Sequence, residues 1–286
     1  MQPNNFLGIE ERYCQQADSF FEIISIPYER TTSYGKGTSK GPDAIIDASH
    51  YVEFYDEQFK IEAYKKGIYT SAPIDVNGSI EAVFDNIEKK FAESLKEGKF
   101  PIGLGGEHAI TFPIYKAFHN FYSDLCILHF DAHSDLRESY EGSIYSHASV
   151  MHQIAGLGDP IIQVGIRSQC IEEAEFIRNK GIHTFYAHDI FQNGFNQAII
   201  EHLTKNVFIT FDLDFFDPSI MPSTGTPEPG GFQWHETIRF LQNIFEQKNV
   251  VGFDMVELAP QDDVTHPDFL AAKLIYKMMT LKLGSK

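Results

Sequence analysis

Residues 125–135 read Leu125-Cys126-Ile127-Leu128-His129-Phe130-Asp131-Ala132-His133-Ser134-Asp135. Leu125–Phe130 is a nearly continuous apolar run, and hard-metal ligands follow it at once. A strand buried on both faces of a parallel sheet has the first property. The second belongs where open α/β sheets place their ligands, just beyond the carboxyl ends of the strands.

Working outward, further apolar runs predict strands at Phe20–Ile26, Phe100–Leu104, Ile161–Gly165, Val207–Phe211 and Val250–Val256. Helical periodicity appears between them. Ile80, Val83, Phe84, Ile87, Phe91 and Leu95 recur at helical spacing, with Gly98 placed to end that helix. Gly41-Pro42-Asp43 opens another helix with proline in its first turn. Phe269–Leu283 reads as a final helix after Pro267. Alternating strands and helices predict an α/β fold with helices on both faces of a mainly parallel sheet. With no repeat, low-complexity tract or linker, residues 1–286 read as a single domain.

Composition narrows the function classes. Forty acidic side chains against 23 Lys and Arg give a formal charge of −17, which disfavours nucleic acid and anionic membranes as partners and permits a cationic substrate. No apolar run approaches a membrane span. The polar segment Met1–Glu11 has neither the basic start nor the apolar stretch of a secretory signal. Cys14, Cys126 and Cys170 are too scattered for a disulfide framework or a cysteine-rich zinc site. Cys126 reads as buried and inert, and a reducing cytoplasm fits.

Two more strand ends are crowded like the first. Gly105-Gly106-Glu107-His108 follows one predicted strand, and Asp212-Leu213-Asp214-Phe215-Phe216-Asp217 follows another. In an extended backbone, Asp131, His133 and Asp135 share one face, as do Asp212 and Asp214. Carboxylates this dense repel one another and are costly at a buried sheet end without a cation. Two divalent ions would neutralise them. Mixed carboxylate and imidazole donors without thiolate suit Mn²⁺, with Fe, Co, Ni or Zn also accommodated. A calcium EF-hand is excluded: counted from Asp212, Asp217 stands where glycine is required and Ser223 where glutamate is. A solvated acidic loop explains one cluster, but not three that all follow apolar strands.

These blocks, together with Ser146-His147, Pro218 and Thr224-Gly225-Thr226-Pro227, resemble in order the ureohydrolase family of arginases and agmatinases. The match runs from about Gly35 to the C-terminal helix. The resemblance implies a three-layer α/β/α fold around an eight-stranded parallel sheet. It also implies two Mn²⁺ ions bridged by a hydroxide that attacks the guanidinium carbon of the substrate. Carried over by motif, one ion would take His108, Asp131, Asp135 and Asp212, and the other His133, Asp131, Asp212 and Asp214. Glu107 and Asp217 would support the site without ligating. Asp135 would relay the hydroxide proton, and His147 would act as proton shuttle. Within Asp254-Met255-Val256-Glu257-Leu258-Ala259-Pro260, Glu257 would accept the guanidinium N–H groups, while Asp254 reads as structural. Arg167, in Gly165-Ile166-Arg167-Ser168, reads as an interface or loop-pinning residue. A homo-oligomer, trimer or hexamer, is implied as well.

The segment Leu136–His147 is similar to that of bacterial agmatinases and has no counterpart of the Asn- and Thr-rich arginase loop. Agmatine, giving putrescine and urea, is therefore the expected substrate, with Glu138 or Glu141 available for its ammonium. Arg137 would instead suit a guanidino acid such as 4-guanidinobutyrate, and Ser223 departs from the glycine common in agmatinases. Arginine is a weaker alternative. A one-zinc deacetylase-like enzyme typically uses a His-His pair, which the sequence lacks. A non-catalytic relative would be expected to have lost ligands, and none is missing here.

Overall fold

The computed structural model describes residues 5–284. Residues 1–4 and 285–286, part of the expected single domain and of the polar N-terminal segment, lie outside the described residues. Eight strands form one sheet: β1 Phe21–Ile26, β2 Ile68–Thr70, β3 Phe100–Gly105, β4 Leu125–Phe130, β5 Ile161–Ile166, β6 His183–Tyr186, β7 Asn206–Asp212 and β8 Asn249–Val256. Their order is β2-β1-β3-β8-β7-β4-β5-β6, and every pairing is parallel.

Alternation along the strands builds two cores. Phe21 and Ile23 of β1, with Cys126, Leu128 and Phe130 of β4, face the first; Ile24, Ile26, Leu125 and Ile127 face the second. Helices α1 (Gly41–Ser49), α6 (Ala187–Asn193), α7 (Gln197–Glu201), α8 (Trp234–Gln247) and α9 (His266–Gly284) close the first core. Helices α2 (Ile80–Lys96), α3 (Thr111–Phe121), α4 (Val150–Ala155) and α5 (Ile171–Lys180) close the second. The result is the expected three-layer α/β/α arrangement with an eight-stranded parallel sheet.

Two strands went unread in the sequence. β2 and β6 are the sheet edges, only three and four residues long and partly solvent-facing. An edge strand buried on few sides needs no apolar run, so the pattern that reveals central strands is missing there. The last helix starts at His266, so Pro267 sits inside its first turn, where its missing N–H costs nothing.

The connection from β3 to β4 leaps over the pair β8 and β7, which fill the gap between them. The four central strands β3, β8, β7 and β4 therefore end side by side, and all the crowded strand ends of the sequence belong to them.

Candidate active site

The chain leaves β3 through Gly106, whose backbone packs against Tyr28 so closely that a Cβ would lie 2.0 Å from the Tyr28 carbonyl oxygen. Only glycine fits that approach. His108 follows and is buried, with its Nδ1 3.2 Å from Asp131 Oδ2, 3.1 Å from Asp135 Oδ2 and 3.3 Å from Asp212 Oδ2. Its other ring nitrogen, Nε2, lies 2.9 Å from Thr210 Oγ1. Thr111 Oγ1 is 3.3 Å from Thr210 Oγ1 and donates to Asp254 Oδ2 at 2.8 Å. A carboxylate only accepts, so the relay runs from His108 Nε2–H through both hydroxyls to Asp254 and leaves Nδ1 facing the three carboxylates. Asp254, read from the sequence as structural, accepts at the end of this relay.

A second cluster lies beside the first. His133 Nδ1 is 2.9 Å from Asp214 Oδ2 and 3.5 Å from Asp131 Oδ1. Asp131 therefore turns one oxygen to each cluster. Asp212 Oδ1 accepts the Asp214 backbone N–H at 2.9 Å, and Asp214 Oδ1 accepts that of Ala132 at 3.0 Å. Extended alternation is not what gathers these groups. Leu213–Phe215 coils into a 3₁₀ turn capped by Asp212, and Asp135 adopts a left-handed conformation (φ 52°), which costs a non-glycine residue roughly 1–2 kcal/mol.

Electrostatics show what the clusters need. Burial pulls the His108 and His133 imidazoles down, but the surrounding carboxylates outweigh it and hold both up, His108 well above its usual range and His133 at about 12. Burial, then repulsion from Asp214 and Asp131, raises Asp212 well above the carboxylate range. Burial pushes Asp131 up as well, but His129, His108 and His133 together hold it well below. The upward shifts of His108, His133 and Asp212 all favour added positive charge among these carboxylates. His108 Nδ1 is buried and lacks a hydrogen-bond partner among the described residues, although three carboxylate oxygens surround it. An orphaned nitrogen inside a ring of oxygens, with no thiolate nearby, fits divalent metal binding. Ligand atoms of His108, His129, Asp131 and Asp135 gather within 4.8 Å, as do those of Asp131, His133 and Asp214.

The sequence reading passed over His129. Its Nε2 lies 2.6 Å from Asp131 Oδ2, while Gln163 Nε2 donates to its Nδ1 at 3.1 Å. Both ring nitrogens are thus engaged, and His129 steadies Asp131 instead of offering a lone pair. The available signal was its place two residues before Asp131, on the same face of the strand.

Glu257 follows β8 in a left-handed conformation (φ 66°). Its N–H donates to the Gly106 carbonyl at 2.9 Å, and its Oε1 accepts the His108 N–H at 2.7 Å. Burial, then the charge of Glu107, raises its carboxyl well above the usual range. Glu107 itself is turned away from the clusters. Its Oε2 accepts the N–H groups of Arg30 (2.8 Å) and Thr31 (2.7 Å), and its Oε1 accepts the Thr31 hydroxyl at 2.7 Å. It braces the 29–31 loop, whereas the sequence placed it behind a metal ligand.

A cavity of about 220 Å³ opens here, with His108, Asp135, Glu257, His147, Arg137 and Gln169 among its lining residues. Exposed Glu138 and Glu141 are not part of this lining. The carboxylate on this wall is instead Glu173, unread in the sequence, whose oxygens accept the N–H groups of Leu136 (2.9 Å) and Cys170 (2.7 Å). Arg137 is exposed and lies over the Tyr140 ring at 5.4 Å. Arg167 pins loops: its guanidinium donates to the carbonyls of Asp214 (2.6 Å), Glu228 (2.9 Å) and Pro229 (3.1 Å). Asp217 holds the same 228–231 segment, its Oδ2 accepting the N–H groups of Gly230 (3.2 Å) and Gly231 (3.1 Å). Ser223 is buried and is not among the residues lining the cavity.

A parallel eight-stranded sheet with this His/Asp edge defines a class before any single protein. The sequence model of the Arginase family matches residues 20–280, and the chain belongs to that family of ureohydrolases, enzymes that depend on a binuclear metal centre. It is 40% identical over 286 residues to the N(1)-aminopropylagmatine ureohydrolase of Synechocystis sp., covering 97% of this chain and 93% of that protein. It is 35% identical to the agmatinase of Bacillus anthracis, covering 91% and 90%. The crystal structure of the agmatine ureohydrolase of Thermoplasma volcanium superposes with a TM-score of 0.89 at 29% identity, covering 99% of this chain and 96% of that one.

Proposed function

We propose that the chain hydrolyses the guanidinium group of a small cationic guanidine, agmatine in the first instance, to urea and the amine, here putrescine. One observation carries the reading: the buried Glu257 carboxylate and the His108 cluster open into the same cavity. That pairs a carboxyl group, which a bound guanidinium would draw into its ionised form against the effect of burial, with a site for hydrolytic chemistry. His108, Asp131, Asp135 and Asp212 would hold one ion, and His133, Asp131, Asp212 and Asp214 the other. Mn²⁺ is the ion we assign, from the oxygen and imidazole donors. Bound there, the ions supply Lewis-acid activation of water.

The chain's own residues do the rest. Glu257 accepts guanidinium N–H groups on the oxygen faces left free by His108, orienting the carbon toward the clusters. Gly225 keeps that side open, since a Cβ there would lie 3.4 Å from Glu257 Oε2. Asp135 accepts the proton lost by the attacking water and returns it to the departing nitrogen, and the C–N bond breaks. The remaining hydroxyl proton leaves as the urea carbonyl forms, and His147 carries it to the freed amine, so guanidinium and water give urea and an ammonium. Glu173 places negative charge on the far wall for the substrate's ammonium.

A second reading rests on two observations. The Synechocystis relative is named for the aminopropyl derivative of agmatine. Gln169, which lines the cavity, also lines a neighbouring one of about 580 Å³ walled by Tyr186, His188 and Phe191, which gives a longer amine somewhere to go. A guanidino acid would need Arg137, which is exposed and stacked on Tyr140. Three free cysteines accord with a reducing cytoplasm, and no described helix is long and apolar enough to cross a membrane. We also propose a homo-oligomer, trimer or hexamer, on the family resemblance.

Urea release by the Mn²⁺-loaded enzyme tests the reading with agmatine, its aminopropyl derivative, 4-guanidinobutyrate and arginine. Agmatine should exceed arginine by at least ~100-fold in kcat/KM, or about 3 kcal/mol, the cost of leaving arginine's carboxylate unpaired in an acidic mouth. Comparable turnover of arginine would overturn it.

A further inference from the structure

His147 has two ring nitrogens, and a proton shuttle needs one of them committed so that the other is free to exchange. The commitment comes from a residue 116 positions earlier in the chain. His147 Nδ1 lies 3.2 Å from Thr31 Oγ1, and the His147 backbone N–H donates to the same hydroxyl oxygen at 3.2 Å. The Thr31 hydroxyl hydrogen is already spent on Glu107 Oε1 at 2.7 Å, because a carboxylate can only accept. With its one hydrogen given away, the Thr31 oxygen can meet His147 Nδ1 only as an acceptor. The ring must therefore carry its hydrogen on Nδ1.

Every valence of that hydroxyl is accounted for: one donation to Glu107, and two lone pairs filled by the backbone and the ring of the same histidine. Glu107 is held in turn through its other oxygen by the N–H groups of Arg30 and Thr31. The Tyr140 ring meets the imidazole nearly edge-on at 5.6 Å. The ring is thus fixed in tautomer by Thr31 and bounded on one side by Tyr140.

We infer that Thr31 is a positioning residue for the hydrolysis. Anchored on Glu107, it holds His147 in the Nδ1–H tautomer and leaves Nε2 as the nitrogen that exchanges protons in the cavity. This rests on the proposal that His147 is the proton shuttle. Thr31 is neither among the residues lining the cavity nor a member of the His/Asp clusters. Glu107, turned from the clusters toward this loop, acquires a definite purpose.

The test is a double-mutant cycle on the Mn²⁺-loaded enzyme. Thr31→Val keeps the shape of the side chain and removes the hydroxyl. It should lower kcat by about 10- to 100-fold, part of the ~10²–10⁴ attributable to general acid–base catalysis. KM and bound metal should stay unchanged, and Thr31→Ser should restore turnover. In the His147→Asn background, Thr31→Val should cost nothing more, since the group it acts through is gone. Thr31→Ala replaces Thr31→Val if the latter fails to fold, as judged by circular dichroism. The inference falls if the hydroxyl-free variant turns over like wild type while His147→Asn does not, or if the two losses multiply. It also falls if Thr31→Ser fails to rescue, or if metal is lost or KM alone rises. Full activity in His147→Asn would instead overturn the shuttle reading itself, a separate outcome.

Discussion

The two walls of the cavity are built on different principles. The His/Asp wall comes from the ends of β3, β4, β7 and β8, and His108, Asp131, Asp135, Asp212 and Asp214 are all buried there. Their carboxylates and imidazoles brace one another or receive backbone N–H groups. Another wall comes from the loop 136–147 and from residues 168–173, where a loop enters α5. It carries exposed Arg137 beside buried Glu173. A site on strand ends is held by the sheet and changes little without loss of the fold. A loop wall can change residue by residue while the sheet stays intact. The reaction is therefore expected to depend steeply on the first wall, and substrate choice on the second.

The largest effect should come from Asp131, the residue that faces both clusters. Asp131→Asn should abolish nearly all turnover and most bound metal, measured by elemental analysis and urea release. Ordinary metal content with ordinary turnover would show that the two clusters do not share it.

Next comes His147, at the end of the 136–147 segment that lines the cavity. His147→Asn should keep its metal and lose turnover by ~10²–10⁴-fold. Loss of metal would move His147 into the cluster wall.

A milder dependence should appear with pH. Metal ligands must be deprotonated to bind. In the metal-free chain the carboxylates hold His108 well above its usual range and His133 up to about 12. Loading metal in neutral solution must then expel protons. Apparent affinity should rise with pH, by up to about tenfold per unit for each proton released, and calorimetry in buffers of different ionisation enthalpy counts those protons. Stability of the metal-free chain follows the same linkage. The raised imidazoles contribute fully below their unfolded value of about 6.5 and lose that contribution as pH climbs through their folded values. Affinity that stays flat with pH would show that the clusters bind metal without displacing protons.

The smallest effect belongs to the loop wall. Arg137→Ala should leave agmatine turnover nearly unchanged, because Arg137 is exposed and engaged with Tyr140. A wild-type preference for 4-guanidinobutyrate that disappears in this variant would make Arg137 the selector and replace agmatine as the substrate.

Legibility divided along the same line. Central strands announced themselves because burial on both faces demands nearly continuous apolar runs, as in Leu125–Phe130. Edge strands β2 and β6 carry no such demand and went unread. The crowded strand ends were legible because carboxylates and histidines after apolar strands have few bland explanations. His129 was hidden inside a strand, where a histidine reads as core until Gln163 and Asp131 are seen beside it. Glu107 was read as support for a metal ligand because it precedes His108, yet its side chain turns to Arg30 and Thr31. Glu138 and Glu141 were available for the substrate's ammonium because they share a loop with His147, but they do not line the cavity, and the carboxylate beside that loop in the lining is Glu173, from α5.

The sequence by itself determined the parallel α/β architecture and which strand ends carry the His/Asp clusters. Both follow from local facts: what a doubly buried strand must contain, and what dense carboxylates need beside them. Only the tertiary structure decided which side chain holds which. The Thr31–His147 contact spans 116 residues and the His108–Glu257 contact spans 149. No local pattern encodes such pairs, because a hydrogen bond depends on directions and distances of a few ångströms that exist only once the sheet has brought β3, β8, β7 and β4 together.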